Sequence, residues 1–295
     1  MQQHSGYSTA RVALETTLLL HGVPKASGAK LGAELSEIVR RAGAVPCLVG
    51  VEGGRAVTAM DGAGLVRMLG KASTPKVNTG TLGVALAGGG DGATTVSTTM
   101  EMAAMAGIRV FATGGLGGVH KGLGDSPGGR LDISADLMAF TRFPVAVVTS
   151  GCKSILDVIN TREFLETLGV PVVGWKTDRF PAFYTRDGGI GLDARFDDIG
   201  GLAKFVRHEL ARTRRGVVVC NAVPEADEID AEQFAQWLHK AEERAREHGA
   251  VGRAVTPAVL GALHELSDGV TLRANIALVK SNAKVAAELA VAMAM

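Results

Sequence analysis

The chain has 295 residues, 46% hydrophobic and 21% charged, with a formal net charge of +1. That balance belongs to a globular protein, and a near-neutral surface offers no field for a nucleic acid polymer or a membrane. Aromatic residues at 4% give little for a base-stacking platform, and no apolar run approaches the roughly 20 residues of a membrane span.

Residues 1–11 read as a loose leader, polar at Met1 to Tyr7 and without a signal-peptide core, which points to the cytoplasm. Residues 12–20 form a strand-like apolar run ending at His21-Gly22, and 29–42 have helical spacing. Runs 44–51 and 55–60 flank Glu52-Gly53-Gly54 and predict a hairpin. Residues 62–69 are helical, 79–90 are glycine-rich and ambiguous, and 93–107 predict a helix closed by Gly107. Strands follow at 108–112 and 145–149, with a short helix at 134–140 between them. Thr161 is placed to cap a helix over 162–168, before a strand at 170–175. A helix at 199–214, a strand at 217–220 and helices at 230–248, 257–266 and 275–295 complete the chain. Alternating strands and helices predict an α/β fold, and no linker or repeat interrupts it, so residues 1–295 read as one domain.

Lys153 is the first candidate for chemistry. The apolar run Val145 to Thr149 stops at Ser150-Gly151, and Cys152-Lys153-Ser154-Ile155-Leu156-Asp157 reads as a turn and the first turn of a helix. Open α/β sheets bind ligands beyond the carboxyl ends of their strands, and a helix N-terminus favours a neutral, nucleophilic amine. The competing reading is a surface lysine paired with Asp157. Glycine, at 39 residues, concentrates in Gly88-Gly89-Gly90-Asp91-Gly92 and Gly114-Gly115-Leu116-Gly117-Gly118. The second cluster runs into Val119-His120-Lys121 and has the shape of an anion nest. It is neither the dinucleotide fingerprint, since His120 stands where glycine is needed, nor a Walker loop. The cysteines Cys47, Cys152 and Cys220 read as buried thiols, and His208, His239, His248 and His264 as solvated histidines on helical faces.

In order, the segments ALETTLLLHGVP, FATGGLGGVHKG, LDISADL, GCKSILD, LETLGVPVVGWKTDRFPAFY, NAVP and LRANIALVKSNA resemble the pseudouridine-5'-phosphate glycosidase family, from about residue 12 onward. The resemblance implies a three-layer α/β/α architecture with a mixed, largely parallel sheet, a homotrimer, and a divalent metal, typically manganese. It implies cleavage or formation of the C–C glycosidic bond between ribose 5-phosphate and a pyrimidine or aromatic aglycone. Lys153 matches the family's Schiff-base lysine, Glu15 its N-terminal acid, Asp136 its metal-holding aspartate, and Lys71 a further active-site lysine. Thr95, His120 and Ser134 match phosphate and sugar positions, and Asn275 a base-contacting asparagine.

The chain departs from the pattern in three places. The family follows its further lysine with Ser-Arg-Arg-Asp, whereas Lys71 leads into Ser73-Thr74-Pro75-Lys76-Val77-Asn78 with extra residues before Gly92. The loop Leu123 to Gly129 is enlarged, and Trp175 replaces a common tyrosine. Changed loops around a kept core are expected to change the aglycone, as in C-ribosylating relatives of alnumycin-type polyketide biosynthesis, and that is the first expectation here. Breakdown of pseudouridine 5'-phosphate is the alternative. A sugar-phosphate kinase-like enzyme and an inactive scaffold homologue are further readings, opposed by the lack of a Gly-Lys-Ser/Thr motif and by the intact Glu15, Asp136 and Lys153.

Overall fold

The computed structural model describes residues 9–121, 132–249 and 255–295. The loop Leu123 to Gly129 and the first eight residues of the leader lie outside the described residues. Strand β1 (Arg11–Glu15) runs directly into helix α1 (Thr16–His21), and α2 (Lys25–Arg41) follows. The hairpin of β2 (Val45–Glu52) and β3 (Arg55–Val57) turns through Gly53 and Gly54, both at positive φ, where glycine is favoured. Helix α3 (Gly62–Leu69), strand β4 (Lys76–Val77), helix α4 (Leu82–Ala87), strand β5 (Ala93–Thr94) and helix α5 (Val96–Met105) lead to β6 (Val110–Ala112). Then come α6 (Ala135–Ala139), β7 (Ala146–Thr149), α7 (Val158–Thr167), β8 (Val172–Trp175), β9 (Ala194–Phe196), α8 (Ile199–Thr213) and β10 (Val217–Cys220). Three helices end the chain: α9 (Ala231–Glu247), α10 (Val255–Leu266) and α11 (Val270–Ala294).

The sheet has eight strands in the order β3-β2-β1-β6-β7-β10-β8-β9, with only β3 antiparallel to its neighbour. Alternate side chains of each strand enter two different cores. Val12, Leu14, Val110, Ala112, Ala146, Val148, Val217 and Val219 join the core built with α2, α8 and α11. Ala13, Phe111, Val147, Val218 and Cys220 join the core on the other face, with residues of α5, α6 and α7. A parallel sheet covered on both faces needs strands that are apolar throughout, and that is how these runs read in the sequence. The result is the three-layer α/β/α arrangement.

Several elements differ from the sequence expectation. The apolar run at 12–20 holds two elements, because Leu18, Leu19 and Leu20 are buried by a helix rather than a strand. Residues 93 and 94 are strand, not helix, paired with β4. The edge strand β9 was not expected, since its side chains are largely exposed and carry no apolar signal. The helix after Lys153 begins only at Val158, capped by Asp157, whose carboxylate accepts from Asn160 N. Thr161 is one turn inside that helix and instead accepts from Val119 N at 2.9 Å, tying it to the glycine loop.

Candidate active site

Glu15 closes β1, Thr113 follows β6, and Lys153 follows β7, so three neighbouring strands deliver them to one end of the sheet. Gly151 sets the direction of the chain before Lys153. Its φ is +77°, and a Cβ there would lie 1.7 Å from the Pro181 carbonyl oxygen, so only glycine is tolerated. The segment is then held by Lys153 N donating to Leu116 O at 3.1 Å and Leu116 N to Gly151 O at 2.9 Å. Lys153 makes no ion pair with Asp157 among the described residues; that carboxylate is occupied as a helix cap. Burial pushes the Cys152 thiol up to about 12, which leaves it an inert core group.

Glu15 is buried and accepts a hydrogen bond from the Thr113 hydroxyl. Burial raises its pKa from 4.5 to about 7, against the lowering effects of Thr113 and the Lys153 charge. A carboxyl titrating near neutrality can give and take protons at cellular pH. Behind it, α11 supplies a bracket that sequence reasoning missed. Asn282 donates to Thr113 O at 2.8 Å and accepts from Asn221 Nδ2 at 2.9 Å, joining the ends of β6 and β10. Asn282 is fully buried, and on a helix that also carries Lys280, Ser281 and Lys284 nothing local marked it.

Two cavities meet at Glu15, Lys76 and Lys153. The larger, about 440 Å³, is lined among others by Thr95, His120, Asp132, Ser134 and Asp136. Thr95 stands at the N-terminus of α5 and Ser134 at that of α6. His120 Nδ1 lies 3.9 Å from Asp132 Oδ2, both partly exposed. The smaller, about 70 Å³, is lined by His21, Phe183, Leu260, His264 and Asn275, among others. Asn275 donates to Gly22 O at 3.0 Å, while its Oδ1 is buried without a partner among the described residues. His264, expected to be solvated, is half-buried here because α10 folds over this cavity.

Three expectations about the site change. First, Lys71 lines neither cavity; it is half-exposed and pairs with Asp91 at 2.6 Å. Lys76, five residues on, lines both, and its pKa is lowered by burial and then by the Lys153 charge. Read from Lys76, the family's Ser-Arg-Arg-Asp is replaced by Asn78-Thr79-Gly80-Thr81, and the apparent extra length shrinks by the same five residues. Second, the glycine loop is not an open anion nest. Amides of Leu116, Gly117, Val119 and His120 already donate to Gly151 O, Asp136, Thr161 and Asp132 O. Its glycines are there for close packing: a Cβ on Gly115 would lie 2.4 Å from the Phe183 ring, and one on Gly117 2.3 Å from Ser134 Oγ. Third, both Asp136 oxygens accept backbone amides, from Ser97 at 2.9 Å and Gly117 at 2.9 Å, so it braces the N-terminus of α5.

The described residues contain no group of three or more His, Cys, Asp or Glu side chains arranged to hold a metal. Small hard cations need no such cage, because one or two carboxylates suffice when substrate oxygens and water complete the shell. Asp132, exposed on the larger cavity with Asp136 behind it, fits that pattern.

Glu15, Lys76 and Lys153 thus stand where two cavities join at one end of an α/β sheet. The chain belongs to the family of indigoidine synthase A like proteins, whose description matches residues 3–292. It is 46% identical over 284 residues to the pseudouridine-5'-phosphate glycosidase of Methylobacterium nodulans, covering 96% of this chain and 83% of that one. It is 44% identical over 284 residues to the protein of that name in Symbiobacterium thermophilum, covering 96% and 92%. Among solved structures it is similar to the prealnumycin C-glycosynthase AlnA in complex with ribulose 5-phosphate, with a TM-score of 0.87 and 36% identity over 97% of this chain and 92% of that one. The indigoidine synthase A-like protein of Thermotoga maritima gives a TM-score of 0.88 and 34% identity over 100% of both chains.

Proposed function

We propose that this enzyme breaks, and in reverse makes, the C–C glycosidic bond between ribose 5-phosphate and a pyrimidine, through an imine on Lys153. The carrying observation is Glu15, buried at the strand ends with a pKa of about 7 beside the cavity that Lys153 also lines. Cleavage of the C–C bond leaves the electron pair on the departing ring carbon and C1 electron-deficient, so C1 needs a lone-pair donor bound to it. Protonated Glu15 gives its proton to the ribose ring oxygen and the ring opens. The Lys153 amine adds at C1 as the C1–O bond breaks, the resulting ammonium returns a proton to the Glu15 carboxylate, and the freed nitrogen lone pair forms the C=N bond as the C–C bond breaks. The aglycone leaves with the bonding pair and takes up a proton. Water hydrolyses the imine to free Lys153 and open-chain ribose 5-phosphate.

Thr95, Ser134 and His120 are assigned to the 5'-phosphate, supported by their place on the larger cavity and by the N-terminus of α5. A divalent cation, manganese by resemblance, would be held by Asp132 with Asp136, and when bound would polarise oxygens and orient water. Lys76 replaces Lys71 in the assignment of a second active-site lysine. A homotrimer is implied by the resemblance.

The small second cavity and the names of the 46% and 44% identical relatives favour a pyrimidine-sized aglycone. The second reading, C-ribosylation of an aromatic polyketide, is favoured by the likeness to AlnA and by the missing arginine pair after Lys76. Ribose 5-phosphate offered with uracil, and separately with a hydroxylated naphthoquinone, decides between them. Faster condensation with uracil supports the first reading, and faster condensation with the quinone overturns it in favour of the second.

A further inference from the structure

The smaller cavity is walled by apolar side chains such as Leu18, Ile155, Phe183 and Leu260 and by polar ones such as His21, Lys76, Lys153, His264 and Asn275, and the polar atoms direct whatever ring enters. Its floor is fixed. Phe183 is held at φ +60° with its amide on Ser150 O at 2.9 Å, and its ring packs onto Gly115 so closely that no side chain fits between. The wall formed by α10 is therefore where this cavity is free to differ in shape and chemistry. Leu260 and His264 lie one turn apart on α10 and both face the cavity. His264 Nδ1 is 2.8 Å from Thr271 Oγ1, and Thr271 Oγ1 is 2.9 Å from Ser267 Oγ, so the imidazole is tethered on one side. Nε2 is its one remaining polar atom. Burial lowers the pKa of His264, which keeps the ring neutral at pH 7 and able to donate or accept through Nε2 according to tautomer.

We propose that His264 is a specificity-determining residue, giving Nε2 to the polar edge of a planar aglycone while Leu260 limits the size of the ring. This rests on the function proposed above and adds a contact to the one assigned to Asn275. A site built to hydrogen-bond a ligand discriminates strongly, because a ring lacking the matching group leaves buried polar atoms unpaired. The assignment predicts a loss in aglycone binding that spares the chemistry of the sugar.

The test uses the full-length enzyme in the condensation of ribose 5-phosphate with uracil. In His264→Ala the KM for uracil should rise at least about tenfold, with a much smaller change in kcat. Borohydride trapping of ribose 5-phosphate alone should proceed at the wild-type rate, since no aglycone takes part. His264→Asn, which keeps a donor and an acceptor, should recover part of the uracil affinity. A KM within about twofold of wild type in both variants, or an equal loss of trapping, overturns the assignment. A wild-type chain that traps no ribose 5-phosphate refutes the underlying function and this contact with it. A wild type that traps and condenses, matched by His264→Ala, refutes the contact alone.

Discussion

Glu15→Gln removes the charge that this site holds at a cost, and the cost can be worked from the structure. Glutamine keeps the volume, and its Oε1 can still accept from Thr113. In the folded chain Glu15 titrates at about 7, against an ordinary 4.5. An acid whose folded pKa is raised binds its proton more tightly when folded, so its contribution is fullest below pH 4.5 and is lost as pH rises to about 7. Each unit is about 1.4 kcal/mol, so the shift corresponds to about 3 kcal/mol, of which roughly 2 to 3 kcal/mol falls between pH 5 and pH 8.5. The variant lacks this loss. Its stability relative to wild type should grow by that amount across the interval, about 4 °C in Tm for a chain of this length. Thermal melts of both proteins at pH 5 and pH 8.5 give the difference directly, and turnover should fall about 10² to 10⁴-fold at the same time. If the two melting curves shift in parallel with pH, Glu15 does not carry a raised pKa and its role as proton carrier near neutrality fails.

Other outcomes follow from the same geometry. Lys76→Met should lower kcat/KM at least about 100-fold while Lys71→Met stays within about threefold, measured by condensation kinetics; the reverse order would return the second lysine to Lys71. Asn282→Ala should cost about 2 to 4 kcal/mol in urea unfolding, because it leaves Thr113 O without its side-chain donor and takes from Asn221 Nδ2 one of its two acceptors, the other being Ser281 Oγ. Asp136→Asn should lose about 2 kcal/mol of stability, since one amide loses its acceptor, whereas Asp132→Asn should melt like wild type but lose its response to manganese after chelation. Equal manganese responses of wild type and Asp132→Asn would remove Asp132 from the cation site.

The sheet was legible because both its faces are buried. Runs such as Val145 to Thr149 and Val217 to Cys220 are apolar without alternation, and the glycine breaks after them mark where strands hand over to the site. Lys153 could be singled out for the same reason, since it stands just past the end of such a run, whereas Glu15 came from the family resemblance, because the apolar run at 12–20 hid the end of β1. What the sequence left illegible are contacts made across the chain. Lys76 lies on a two-residue strand paired with β5, a pairing that no local pattern announces, and so the frame settled on Lys71. The glycine loop looked like an anion nest, yet its amides are taken by Asp136 and Thr161, which lie 19 and 42 residues away. Asn282 reaches Thr113 O over 169 residues. His264 looked like any surface histidine because the cavity beneath α10 exists only once α10 and α11 are folded over the strand ends.

The central claim is the covalent amine at Lys153. Incubating the full-length enzyme with ribose 5-phosphate and borohydride, followed by peptide mass analysis, tests it most directly. The account predicts one reduced sugar-phosphate adduct on the peptide carrying Lys153, absent from Lys153→Ala. No adduct on the wild type, or an adduct that persists in Lys153→Ala, would contradict it.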